Sequence, residues 1–126
     1  MLPIIKMITS HRDHDCALVA LAMLTGKDYE DIVLAASQID KRAGKRGLYS
    51  SQIRKIAKLL GITLRLKRKF DPEAASGILD VQFHNGEKHA LLLDEGRVFD
   101  SNGDIWAIDA YLTTQKAKIG HLLEVV

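Results

Sequence analysis

The sequence predicts an α+β fold, in which a helical first half packs on an antiparallel sheet built by the second half. Two observations predict it. Before residue 61, apolar residues recur at helical spacing in three segments bounded by capping residues and glycines. Beyond that point they alternate with polar residues or form short apolar runs. Asn-Gly and Glu-Gly pairs separate these runs, a pattern typical of strands joined by tight turns.

The first predicted helix covers residues 16–25. Asp13 or Asp15 can cap its N-terminus, and Gly26 follows as a C-terminal stop. Its residues are apolar on almost every side, which indicates that the helix is buried.

Two more helices are predicted in the first half, over residues 28–38 and 52–60. Ser50 or Ser51 can cap the third helix, and Gly61 ends it. Between them, residues 40–47 are rich in lysine, arginine and glycine, a composition that predicts a loop.

The second half is predicted to form strands joined by turns. The predicted strands cover residues 62–67, 78–83, 88–93, 97–100 and 122–126. Turns are expected at Asn85-Gly86, at Glu95-Gly96 and at residues 101–103, and a short helix over residues 107–114. No linker or repeat divides the chain, so we expect residues 1–126 to form a single domain.

Composition excludes several function classes. The hydrophobic fraction of 47% predicts a real core, and no apolar run is long enough to span a membrane. The formal net charge of +2 and the scarcity of aromatic residues give no reason to expect a nucleic-acid partner. A single cysteine cannot form an intramolecular disulfide. Together with the lack of a signal-peptide pattern, this favours a cytoplasmic protein.

Three residues have the types and the order that thiol catalysis needs. Cys16 stands where the first apolar helix begins, and a helix N-terminus favours a thiolate. His89, in an apolar strand, can act as general base and acid, and Asp100 ends the next strand. A hairpin can bring the histidine and the aspartate together, so that the carboxylate orients the imidazole.

Each of these residues also has an ordinary structural interpretation. Free cysteines are often buried core residues, and a histidine in an apolar strand is often a core histidine. Asp100 belongs to good turn chemistry, and Asn102 could orient His89 in its place. His11, His14 and Cys16 form an H-x-x-H-x-C pattern that matches no common structural zinc spacing, so we expect neither a metal nor a cofactor.

Several segments resemble the bacteriocin-processing peptidases (family C39), which are papain-like. They are DCALVALAML at 15–24, YEDI at 29–32, GLYSSQIRKIAKLLGI at 47–62 and HALLLDEGRVFD at 89–100. The resemblance runs in order from about Ile8 to Val126. It implies a papain-like fold in which Cys16 is the nucleophile, His89 the general base and Asp100 the orienting acid. It also implies a peptide or protein substrate, since the family cleaves leader peptides.

Two positions depart from the family pattern. The family has a glutamine about six residues before the cysteine, whose amide helps to form the oxyanion hole, and this chain has Ser10 there. The glycine common after the nucleophile is Ala17 here. Ser10, His11 or His14 could supply the missing donor, or the backbone N–H of Cys16 could act alone.

Three functional interpretations therefore stand side by side. The first is a cysteine peptidase that hydrolyses peptide bonds through a Cys-His-Asp triad. The second is a catalytically weak or inactive papain-like module that binds a peptide or protein partner. The third is transfer of the acyl group to an amine instead of water, with the same residues. Small free-standing domains of this appearance resemble proteins of phages or mobile elements.

Overall fold

A computed structural model describes residue 2 and residues 4–10, 14–43 and 47–126 of the chain. Within these ranges the chain is α+β, as the sequence predicts. The helices are α1 (Cys16–Thr25), α2 (Tyr29–Ile39), α3 (Ser50–Leu59) and α4 (Ile108–Gln115). The strands are β1 (Leu64–Lys67), β2 (Ser76–Phe83), β3 (Lys88–Asp94), β4 (Arg97–Phe99), β5 (Ile105–Ala107) and β6 (Ala117–Val125).

The strands of the described residues form one antiparallel sheet of six strands, in the order β1-β6-β2-β3-β4-β5. Tight turns join β2 to β3 and β3 to β4. The Asn85-Gly86 and Glu95-Gly96 predictions are confirmed at these turns, where Gly86, Glu95 and Gly96 adopt positive φ angles. The last strand returns across the sheet and inserts between β1 and β2. In this topology β3, which carries His89, is one of the two central strands of the sheet.

Helices cover both faces of the sheet and define two apolar clusters. On one face, α1 packs on β3 and against α2, while α3 packs against α2 and β1. Every residue of α1 from Ala17 to Leu24 is buried. On the other face, α4 packs through Ile108 and Tyr111. No helix in the described ranges is long and apolar enough to cross a membrane. The burial of α1 follows from its nearly uniform apolar surface, and its first residue, Cys16, lines a pocket together with His89 of β3.

Element boundaries differ from the sequence expectations at the C-terminal end. The last strand begins at Ala117 rather than at residue 122, and β5 has no counterpart among the predicted strands. A register shift between Asp80 and Val81 interrupts the pairing of β2 with β6. Such a bulge blurs the two-residue periodicity on which strand prediction depends.

Gly77 of β2 provides a test of this packing. A Cβ at this position would collide with the Leu123 carbonyl oxygen and lie 2.9 Å from the Glu124 Cα, both backbone atoms of β6. We therefore expect Gly77→Ala to lower the free energy of unfolding by about 3 kcal/mol, because the strands must separate. Urea unfolding followed by circular dichroism measures it. Gly47→Ala is the matched control, since a Cβ there meets nothing within 4 Å. Equal stability of the two variants would contradict the described β2–β6 pairing.

Candidate active site

Cys16 is the first residue of α1 and is partly exposed. The residue before it, Asp15, occupies the N-cap position, but its side chain makes no capping hydrogen bond, so the expectation that Asp15 caps the helix is wrong. The other proposed cap, Asp13, lies outside the described residues. The backbone N–H groups of the first turn are thus not occupied by the Asp15 carboxylate. The helix presents its partial positive charge where the sulfur lies.

His89 and Asp100 meet as the hairpin argument predicts. The Nε2 of His89 lies 2.7 Å from the Oδ1 of Asp100, and both side chains are mostly buried. The imidazole also stacks on the Phe83 ring, with ring centroids 6.0 Å apart. With Nε2 engaged by the carboxylate, the imidazole is oriented and its Nδ1 is left to serve the nucleophile.

The charge state of His89 is set by its two partners. Burial alone would lower the pKa of the imidazole. Hydrogen bonds to Asp100 and Cys16, and the attraction of their negative charges, outweigh burial and raise this pKa to about 10. At neutral pH the group is therefore an imidazolium that can neutralise a thiolate and donate a proton. Cys16 and His89 line a common pocket.

The turn after β4 holds Asp100 in its charged form. Burial opposes the charge, but the hydrogen bond and attraction of His89 and the backbone N–H groups of Ser101 and Asn102 lower the pKa of the Asp100 carboxyl. The side chain of Asn102 faces elsewhere: its Oδ1 accepts the Asp104 N–H at 3.0 Å. Between the two candidates for orienting His89, the structure thus pairs the imidazole with Asp100, and Asn102 contributes through its backbone.

Ser10, which stands where the resembling family has glutamine, lies in a hydrogen-bonded network beside Cys16. Its hydroxyl donates to Oδ1 of the buried Asp15, and the Tyr29 hydroxyl donates to Oδ2 of the same carboxylate at 2.8 Å. Its backbone N–H donates to the carbonyl of Ser101, at 2.7 Å. Ser10 is therefore tied to the turn that carries Asp100. The Ser10 hydroxyl proton points to Asp15 and not to a bound carbonyl.

His14 lies at the rim of the same region. It is exposed, has a φ of 63° and lines a pocket together with Cys16 and His89. Histidine is among the residues that tolerate this left-handed conformation, which turns the chain into α1. His11, the other candidate donor, lies outside the described residues. In the ranges that the structure describes, no three or more His, Cys, Asp or Glu side chains are arranged to hold a metal ion.

Several side chains of the site carried no signal in the sequence analysis. Tyr29 is a buried residue of α2, and its hydroxyl donates to the Asp15 carboxylate. Tyr111 of α4 is 2% exposed, and burial together with the negative charges of Asp100 and Cys16 raises the pKa of its hydroxyl. A hydrogen bond between polar groups far apart in the sequence leaves no periodic pattern, so only the folded arrangement reveals the contact of Tyr29 with Asp15.

A pocket of about 130 Å³ opens beside the candidate nucleophile. Cys16 and His89 line it from α1 and β3, and Leu48, Ser50 and Ile53 line it from the α3 side. The pocket thus lies between the helical half and the sheet. Its size fits one side chain of an extended chain, being below the roughly 300 Å³ of common small-molecule sites.

No protein-family model matches the chain, and its sequence matches no curated protein.

Proposed function

We propose that this protein is a thiol-dependent amide hydrolase, a papain-like cysteine peptidase resembling family C39, acting on a peptide or protein substrate. The observation that carries the proposal is the His89–Asp100 hydrogen bond of 2.7 Å beside Cys16 at the N-terminus of α1. In this proposal Cys16 is the nucleophile, His89 is the imidazole beside it and Asp100 orients the imidazole, which is the arrangement that activates a cysteine. The raised pKa of His89, to about 10, supports an imidazolium paired with a thiolate.

The first half-reaction forms an acyl-enzyme. The Cys16 sulfur attacks the substrate carbonyl carbon, and the carbonyl electrons move to oxygen. As the C–N bond breaks, the His89 imidazolium donates its proton to the departing amine and becomes neutral. The products of this step are a free amine and a thioester on Cys16.

The second half-reaction uses the neutral imidazole as a base. His89 removes a proton from a water molecule, which attacks the thioester carbonyl. Collapse of this intermediate releases a carboxylic acid and regenerates the Cys16 thiolate with the His89 imidazolium. Asp100 holds the ring orientation through both steps. An amine in place of water would give acyl transfer with the same residues.

The backbone N–H of Cys16, at the unoccupied start of α1, is the first donor that we assign to the oxyanion. The second donor that we assign is the His14 side chain, since His14 lines the same pocket as Cys16 and His89. A nucleophile that acts as a thiolate must remain reduced, so we place the protein in a reducing compartment such as the cytoplasm.

One observation favours a second candidate function, a catalytically weak or inactive module that binds a peptide or protein partner. The Ser10 hydroxyl donates to Asp15, so the position of the family's glutamine offers no side-chain donor to the oxyanion. Loss of one such donor typically costs ~10²–10³ in rate. A module of this kind would bind peptides in the cleft and form no acyl-enzyme.

Alkylation kinetics test the peptidase proposal. At pH 6 a free thiol is only about 0.3% thiolate. A thiolate paired with His89 reacts at least tenfold faster with iodoacetamide, even after its lower intrinsic nucleophilicity is allowed for. The rate is followed by intact-protein mass spectrometry against glutathione, and Cys16→Ala confirms the site of labelling. A rate no faster than that of glutathione would count against an activated thiol and favour the binding module.

A further inference from the structure

The pocket beside Cys16 contains a carboxylate that the proposed reaction does not use. Asp80 lies on β2 opposite Ala90 of β3, one residue from the strand position of His89. Its side chain and that of His121 line the pocket together with Cys16 and His89. A substrate side chain bound in this pocket would lie beside the Asp80 carboxylate.

Asp80 is held in the pocket without a hydrogen bond. The Nδ1 of His121 stands 3.6 Å from the Asp80 Oδ2, and among the described residues no group donates a hydrogen bond to this carboxylate. Its Oδ2 fills the space that a Cβ of Gly120 would need, so glycine at that position leaves room for the carboxylate. Burial raises the pKa of the Asp80 carboxyl, and the attraction of His121 and Lys88 opposes this rise.

Part of the wall around this carboxylate is apolar, although His14, Lys88 and His89 also line the pocket. Ile53, Ile78 and Leu123 line the same pocket, and Lys88 on β3 is exposed at its border. An alkyl stem that ends in a cation fits such a surface, because the methylene groups pack on the apolar walls while the charge reaches the acid. A negatively charged or a short polar side chain would leave the carboxylate uncompensated.

We propose that Asp80 is a specificity-determining residue that binds a lysine-type side chain of the substrate near the scissile bond. This inference rests on the proposed peptidase function and narrows its substrate class to peptides with a basic residue close to the cleavage site. His121 and Gly120 position the carboxylate, and Lys88 competes with the substrate cation for it.

Tripeptidyl chloromethyl ketones test the assignment, since the Cys16 sulfur displaces chloride from them to form a stable thioether. Lysine or norleucine, which differ by the ammonium group, is placed at each of the three residues in turn. Intact-protein mass spectrometry gives the labelling rate. At one position we expect the wild-type protein to react with the lysine probe at least tenfold faster than with its norleucine match. In Asp80→Asn this ratio should fall to about one.

Asp109→Asn removes an exposed carboxyl on α4 and should leave the wild-type ratio intact. Lys88→Gln should raise the ratio, since the competing cation is gone. Rapid labelling with no lysine preference at any position, or a preference that Asp80→Asn keeps, would overturn the role of Asp80 and leave the peptidase proposal standing. Labelling by every probe at the rate of glutathione would overturn the peptidase proposal and the inference with it. If Asp80→Asn fails to fold, a wild-type ratio near one at every position still overturns the role of Asp80, and a higher ratio in Lys88→Gln still supports it.

Discussion

Replacement of Cys16 by alanine is expected to abolish peptide cleavage, with a loss of at least ~10⁴-fold in rate. The neighbouring hydroxyl of Ser10 is not placed to substitute for the thiol, because it is bonded to Asp15 and lies outside the His89–Asp100 pair. In a catalytic triad, loss of the nucleophile removes nearly all the rate that the triad as a unit supplies. The residual rate would come from substrate binding and the oxyanion donors alone.

The measurement uses a library of peptides from a digested cell lysate, with cleavage products identified by mass spectrometry. Cys16→Ser is the companion variant, since it keeps the size of the side chain but offers a poorly activated hydroxyl. Because Cys16 is partly exposed and alanine suits a helix, unfolding in urea should be within about 0.5 kcal/mol of wild type. Cleavage by Cys16→Ala at the wild-type rate would show that another group performs the chemistry.

The sequence predicted the α+β architecture because the strongest local signals coincide with the largest buried surfaces. The apolar run of α1 has no polar face, and a helix of this kind has to be covered. The hairpin turns rest on glycines at positive φ, which only a few residue types adopt readily. Where the local sequence pattern and the tertiary packing favour the same structure, composition and periodicity are enough to predict the helix or turn.

The start of the C-terminal strand was predicted poorly because it depends on pairing with strands that are distant in the sequence. Strand β6 pairs with β1 on one side and with β2 on the other, and the register shift at Asp80 and Val81 breaks its alternation. Gly120 weakens the strand signal further, yet the Asp80 carboxylate needs the space that this glycine leaves. Gly120 thus weakens the sequence signal of the strand and also leaves the space that the Asp80 carboxylate occupies in the pocket.

The candidate site was predictable in part. The order of Cys16, His89 and Asp100 follows from what a thiol nucleophile requires, and the hairpin explains why the last two meet. The role of Asp15 was not predictable, since an aspartate before a helix is normally its cap. Here its carboxylate is buried and accepts hydrogen bonds from Ser10 and Tyr29, a long-range arrangement that no local pattern signals.

Replacement of Asp100 is expected to have the next largest effect. Asp100→Ala leaves the His89 Nε2–H without its acceptor at 2.7 Å, so the ring can rotate and change tautomer. We expect kcat/KM to fall by about 10³-fold, between the effect of losing a single oxyanion donor and that of losing the nucleophile. Asp100→Asn should still lose about 10²-fold. Its amide offers a single oxygen, whereas the carboxylate serves His89 and the N–H groups of Ser101 and Asn102.

The pH profile separates this positioning role from a merely structural one. With Asp100 present, the pKa of His89 is raised to about 10, so the imidazolium persists through neutral and mildly alkaline pH. Without that carboxylate the pKa falls toward the ordinary histidine value. The alkaline limb of kcat/KM, measured on a peptide that the wild type cleaves, should therefore move to lower pH in both variants.

Asp104→Asn is the matched control, because this exposed residue of the same turn accepts the Asp100 N–H through its backbone carbonyl. It should keep the wild-type rate and pH profile. A rate loss in Asp100→Ala with an unmoved alkaline limb would indicate that the carboxylate only stabilises the turn. A shift of the alkaline limb in all three variants would show that any change in this turn moves the limb. We predict a shift in the two Asp100 variants alone. This result would show that the Asp100 carboxylate raises the pKa of His89, the candidate general base.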